Sequence, residues 1–193
     1  MTQNNLLYPI FLKLDKVRML IVGAGEVGFE KLHFILKSSP NASITVVATW
    51  VSEDVHDLLV NGNYDIRVLI KNFETEDIQD HDLVVAATND QLLNAQIHAA
   101  AKQMNKIVNV ADTPELCDFY MGSIVTRGDL KVAISTNGKS PTFAKRFRQL
   151  LEEVLPNDTK DLINNLKQNR DGLKVGFSEK VKKLNEITAS LVD

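Results

Sequence analysis

This sequence predicts an α/β fold built on a doubly wound parallel sheet, and three observations predict it. Short β-branched runs alternate with segments of helical periodicity through the first 112 residues. A glycine cluster, Gly23, Gly25 and Gly28, stands between the first apolar run and the first helical segment. From Thr113 the alternation stops, so the remainder calls for a different architecture.

Each element has its own reason. Met19 to Val22 is the first strand, and residues 42–48, ASITVVA, are the second, because an unbroken β-branched run suits a strand covered on both faces. Residues 65–70 give a third strand, 81–90 a fourth that ends in a polar turn, and 106–112 a fifth. The Ala- and Leu-rich stretch QLLNAQIHAAAKQM makes the helix between the last two. Right-handed crossovers then yield the parallel sheet. Residues 119–136 read as two strands around TRGD, too close for a crossover helix and therefore an antiparallel hairpin. Ser140 as N-cap and Pro141 as first helical residue open a helix carrying Phe143, Phe147, Leu150, Leu151 and Val154 on one side. Residues 157–193 form a C-terminal helical region broken near Gly172 and Gly176. Its apolar stripe, Phe177, Val181, Leu184, Ile187 and Leu191, suits core or subunit packing. The expected divisions are 1–112, 113–156 and 157–193.

Composition narrows the function. With 44% hydrophobic residues in 193 the chain can bury a core. Twenty-five acidic against 22 basic residues give a net charge of -3, without the basic stripe that a nucleic-acid binder uses on phosphates. No apolar run approaches the roughly 20 residues of a membrane span, and the N-terminus does not read as a secretion signal. No membrane is therefore expected, and the location expected is the cytoplasm. Cys117 is the sole cysteine, which agrees with a reducing compartment. His33, His56, His81 and His98 lack metal-ligand spacing, so no metal site is expected.

The glycines have the spacing G-x-G-x-x-G in the order strand, loop, helix, which makes the sheet Rossmann-like and its ligand a dinucleotide. Gly23 permits the turn, Gly25 admits a pyrophosphate to backbone N–H groups, and Gly28 permits close helix packing. Ligands of open parallel sheets lie beyond the carboxyl ends of the strands. That singles out the glycine loop, Thr49 and Trp50, Thr88 to Asp90, and Asp112. No carboxylate stands about 20 residues beyond the glycines to hold a ribose, and no Arg or Lys to hold a 2′-phosphate, so these residues alone do not choose between NAD and NADP. Position leaves two readings of Asp112 open, a general base at the mouth of the fifth strand and an Asx-turn ahead of Pro114. Arg127, Lys131, Lys139, Lys145, Arg146 and Arg148 gather in an otherwise acidic chain. They suit either a polyanionic ligand or a solvated helix face.

The stretches LIVGAGEVGFEKL, VVAATND and NVADTPELCDFYMGSIVTRGDLKVAISTNGKSPTFAKRFRQLLEEVLP resemble the precorrin-2 dehydrogenase family, the siroheme synthase N-terminal type, over about residues 8–156. The resemblance implies NAD-dependent oxidation of precorrin-2 to sirohydrochlorin by a homodimer joined largely through the segment after the fifth strand. It makes Asp112 the acid/base residue and places Glu26, Val27, Thr49 and Trp50 against the cofactor, beside Gly23, Gly25, Gly28, Thr88 and Asn89. The family uses NAD without the usual acidic ribose anchor, in agreement with its absence here. Precorrin-2 carries eight carboxylates, which gives Arg127, Lys139, Ser140 and Arg146 a substrate-binding purpose. Two other functions compete with this one. A bifunctional dehydrogenase and sirohydrochlorin ferrochelatase shares every motif, whereas an NAD-sensing regulatory module shares VVAATNDQLLNAQIHAAAK but not the hairpin followed by STNGKSP.

Overall fold

A computed structural model of the chain describes residues 5–156 and 159–189. Two compact units emerge, one reaching Met121 and taking in Ser135–Lys139, the other holding Gly122–Ile134 and the chain from Ser140 onward.

The first unit is a five-stranded parallel sheet. Strands β1 (Arg18–Val22), β2 (Ser43–Ala48), β3 (Ile66–Ile70), β4 (Leu83–Ala86) and β5 (Ile107–Val110) lie in the order β3-β2-β1-β4-β5. Helix α1 (Glu26–Ser38) links β1 to β2, α2 (Glu53–Asn61) links β2 to β3, and α3 (Gln91–Gln103) links β4 to β5. Between β3 and β4 the crossover carries a 3-10 turn, Thr75–Ile78, rather than an α-helix. The run Met19 to Val22 is apolar throughout because its residues serve two cores in alternation. Met19 and Ile21 pack with Leu32 and Leu36 of α1, while Leu20 and Val22 pack with Ile97 and Ala101 of α3. The strand order turns back between β1 and β4, and a crevice opens where the two chains leave the sheet in opposite directions.

After β5 the chain folds back along the same edge. Asp118 donates its N–H to Val108 O at 2.8 Å, and its carboxylate accepts from Val108 N at 3.0 Å and from Lys102 Nζ at 2.7 Å. At the amino ends of the inner strands β1 and β4, Asp82 Oδ2 accepts Arg18 N at 2.9 Å.

The second unit opens with the antiparallel pair β6 (Ser123–Arg127) and β7 (Leu130–Ile134), in which Val125 faces Val132. Helix α4 (Pro141–Val154) follows, its first turn held by Ser140 Oγ accepting Phe143 N at 3.2 Å. Ala144, Leu151 and Leu155 close a small core with Val125 and Ile134. Helices α5 (Thr159–Gly172) and α6 (Phe177–Ile187) complete it, and Thr159 Oγ1 donates to Arg127 O at 2.8 Å.

The doubly wound parallel sheet, the hairpin and the C-terminal helices are those the sequence predicts. Strand limits are tighter: β4 ends at Ala86 and β5 at Val110, so Thr88 to Asp90 and Asp112 stand in loops beyond them. Of the C-terminal stripe, Phe177, Val181 and Ile187 are exposed, and Leu191 lies outside the described residues.

Two carboxylates tie stability to pH. The Arg18 N–H, with the Arg18 guanidinium behind it, holds Asp82 below the usual carboxylate range. Burial pushes Asp118 upward, but Lys102 and the Val108 N–H outweigh it and hold that group low as well. With folded values below unfolded ones the unfolded chain binds more protons, so this stability is present above the ordinary carboxylate pKa of about 4 and is lost as pH falls through the folded values. Urea midpoints should therefore drop between pH 5 and pH 2, and the drop should be smaller in the Asp82→Asn, Asp118→Asn double variant.

Candidate active site

The glycine loop is shaped by contacts between main chains. Gly23 has φ +107°, which side-chain-bearing residues rarely adopt, and a Cβ there would fall 2.4 Å from Ala87 O and 3.0 Å from Thr88 N. A Cβ on Gly28 would fall 2.2 Å from Gly23 O. Gly23 N bonds Val47 O at 2.9 Å and Ala87 N bonds Val22 O at 2.8 Å, so the loop is stitched to β2 and β4. Gly25 differs from both: its backbone is ordinary, and a Cβ there would meet only the Trp50 ring, at 3.4 Å.

The helix caps show what this loop leaves open. Ser52 accepts from Val55 N at the start of α2, Asp90 from Leu92 N and Leu93 N at α3, and Ser140 from Phe143 N at α4. Helix α6, after Gly176 in the second unit, has no side-chain cap, and neither has helix α1, whose N-cap is Gly25. Its first-turn N–H groups, at Glu26, Val27 and Gly28, face the positive end of the helix dipole without an acceptor from a cap. A pyrophosphate supplies the missing acceptors, and Gly25 keeps the approach free of a side chain. These residues fit a dinucleotide.

Around the loop stand the other residues predicted from sequence. Thr49 and Trp50 are exposed beyond β2, and Ser52 N donates to Ala24 O at 2.9 Å, tying that turn to the glycine loop. Glu26 is exposed, whereas Val27 turns toward the core. Asn89 is exposed beyond β4, but the neighbouring Thr88 hydroxyl is occupied: it lies 2.7 Å from Asn94 Oδ1 and accepts Asp90 N at 3.2 Å.

Asp112 lies two residues past β5 with φ +56°, in the left-handed region that Asp tolerates better than most residues. It lines a cavity of about 400 Å³ with Gln91, Asn94, Val110 and Glu115. Its carboxylate makes no hydrogen bond or ion pair among the described residues and is exposed. Cys117 Sγ is engaged with the Val110 main chain, at 3.3 Å from N and 3.2 Å from O, and burial pushes its thiol upward, away from a reactive thiolate.

In the second unit, Arg127 sends its guanidinium to the carbonyls of Glu152 and Thr126, joining β6 to the end of α4. Arg146 is exposed and reaches Gln149 at 3.3 Å, and Ser140 is the α4 cap. Lys139, in the Ser135–Lys139 segment of the first unit, is exposed. The sequence reading passed over Asn94, a buried amide on α3; nothing in a helical stretch of polar and apolar residues marks which Asn faces inward.

Comparison with known proteins bears on this geometry. The NAD(P)-binding family matches residues 10–123, and the family described as sirohaem biosynthesis protein central matches residues 127–153. The chain belongs to this NAD(P)-binding family. The siroheme synthase of Methylococcus capsulatus is 40% identical over 77% of this chain, and that of Pseudoalteromonas atlantica 36% identical over 91%. The chain spans only 30% and 37% of those two proteins. A solved structure of SirC, precorrin-2 dehydrogenase, superposes with a TM-score of 0.71 at 29% identity, covering 97% of this chain and 90% of that one.

The loop geometry separates two kinds of glycine. Gly23→Ala and Gly28→Ala should lower Tm by about 5 °C or more through backbone clashes. Gly25→Val should leave Tm near that of the parent and weaken NAD binding about tenfold or more by crowding the pyrophosphate, measured by calorimetric titration.

Proposed function

We propose that this chain is an NAD-dependent dehydrogenase that converts precorrin-2 to sirohydrochlorin. The observation that carries the reading is the placement of Asp112: a carboxylate without a partner among the described residues, beside a cavity, at the same end of the sheet as an uncapped glycine loop. The match to SirC over nearly the full chain supports it.

The glycine loop and the α1 N–H groups hold the pyrophosphate, and Thr49, Trp50, Thr88 and Asn89 flank the remainder. When bound, NAD supplies the two-electron acceptor for a ring carbon of the substrate. The chain's own part is the proton that must also leave. Asp112 takes it, since its carboxylate lines the cavity and is exposed to what enters it. Lys139 in the first unit, and Arg146 with the α4 terminus at Ser140 in the second, are each suited to a carboxylate of the substrate, while Arg127 joins β6 to the end of α4. The cytoplasm suits a chain whose single cysteine is a free thiol, and no described helix is long and apolar enough to cross a membrane.

The active form is a homodimer. Helix α4 turns Ala144 and Leu151 to its own core, yet Phe143, Phe147, Leu150 and Val154 remain exposed on its other side. The Phe143 and Phe147 rings stack at 6.0 Å. Water covers such a surface at a cost that a second copy removes.

The direct test is an anaerobic spectrum of precorrin-2 with protein and NAD, in which sirohydrochlorin should appear only when all three are present; no conversion rejects the reading. Asp112→Asn keeps a residue suited to the left-handed backbone, so it should fold normally and bind NAD as the parent does, with turnover lower by about 100-fold or more. Phe147→Glu should shift the protein toward monomer in analytical ultracentrifugation.

A further inference from the structure

We propose that Asn94 is a positioning residue for the cofactor loop, an inference that rests on the nucleotide site described above. Asn94 is 5% exposed, and every polar atom of its amide is aimed at one residue. Oδ1 accepts the Thr88 hydroxyl at 2.7 Å and Thr88 N at 3.3 Å, and Nδ2 donates to Thr88 O at 3.0 Å. The main chain of Thr88, with that of Ala87 before it, lies against Gly23: the Thr88 nitrogen is 3.0 Å and the Ala87 oxygen 2.4 Å from where a Cβ would stand. Asn94 also lines the cavity that contains Asp112. One amide therefore braces the turn that presses on the phosphate loop and forms part of the wall beside the proposed base.

The chemistry of the clasp demands an amide. A leucine fills the volume but takes away the partners that the amide gives the Thr88 N–H and carbonyl, leaving the Thr88 hydroxyl to Asp90 alone. An ionised carboxylate accepts twice as Oδ1 does, but it cannot donate to Thr88 O and sets a negative charge against that carbonyl. A protonated carboxyl restores the donor. The Asn94→Asp variant thus converts the clasp into one that works only while the introduced carboxyl holds its proton, and burial beside a carbonyl raises the pH at which it lets go.

The test is calorimetric titration of the full chain with NAD at pH 8 and pH 5.5, each affinity taken as a ratio to the parent at the same pH. For Asn94→Asp the expected ratio is about tenfold weaker at pH 8 and within about twofold of the parent at pH 5.5. For Asn94→Ala it is weaker to a similar degree at both. A residue that merely stabilises α3 lowers Tm without this reversal. A folded Asn94→Asp protein with parental affinity, or with a ratio indifferent to pH, overturns the proposal. If Asn94→Asp does not fold at pH 8, Thr88→Val decides by the same titration: about threefold weaker binding is expected from loss of the hydroxyl, and unchanged affinity overturns the proposal. A parent chain that fails to bind NAD sinks the nucleotide reading and this proposal together. A parent that binds NAD but leaves precorrin-2 unconverted sinks the proposed reaction and leaves the clasp standing.

Discussion

The ends of β1 and β4 approach so closely that no side chain fits between them, and the edge of the sheet is organised by that contact. The absent Cβ at Gly23 lets its backbone lie against Ala87 and Thr88. Because the chain leaves β1 toward β2 and leaves β4 toward β5, the two exits diverge from this one pinch and a crevice opens above it. Gly28 extends the same logic by one helical turn, since its own missing Cβ lets α1 rest on the Gly23 carbonyl. Close packing of backbone on backbone leaves little slack, so a displacement of Thr88 is felt at Gly23.

Polar satisfaction is distributed unevenly over this edge, and the pattern separates structure from chemistry. Where a group only has to hold the fold, it is fully used: Asp90 caps α3, Asp118 binds Lys102 and the β5 backbone, and the Cys117 thiol is turned onto Val110. Where a ligand is proposed, groups stand open: the first turn of α1 has no cap, and the Asp112 carboxylate meets no partner among the described residues. Protein interiors and helix ends normally satisfy such groups internally. Their openness here is a property of position, maintained by neighbours that are themselves locked.

Much of this was readable from residue order. The β-branched runs fixed five strands because burial on both faces admits little else, and Ser140-Pro141 marked the start of α4 because a hydroxyl and a missing N–H are both suited to that end. The glycine spacing pointed to the loop. What escaped depended on distant partners. The β3 to β4 crossover has a 3-10 turn where alternation suggests a helix, with Glu74 and Asp77 capping each other's backbone. The left-handed backbone of Asp112 accompanies the turn that Thr113 makes back to Val110, and the inward direction of Asn94 its bonds to Thr88 just beyond β4. Arg127 reads as a free cation in sequence, whereas its guanidinium is spent on carbonyls at the end of α4. Local propensity cannot carry facts of that kind, since each joins residues separated by several to many positions along the chain.

The second unit poses the converse problem, because its own core is small. Val125, Ile134 and Ala144 are its buried apolar residues, with Val132, Leu151 and Leu155 half covered around them. A two-stranded hairpin is marginal in water without a helix or further strands against it, and α4 provides that cover with one side only. Phe143, Phe147, Leu150 and Val154 then form an apolar strip beside that covered side which stays exposed. A helix whose apolar face is wider than a single hairpin can cover belongs against something larger. The economy of the arrangement is that a second copy of α4 has the same deficit, so pairing two such helices about a twofold axis would cover both surfaces with one interface.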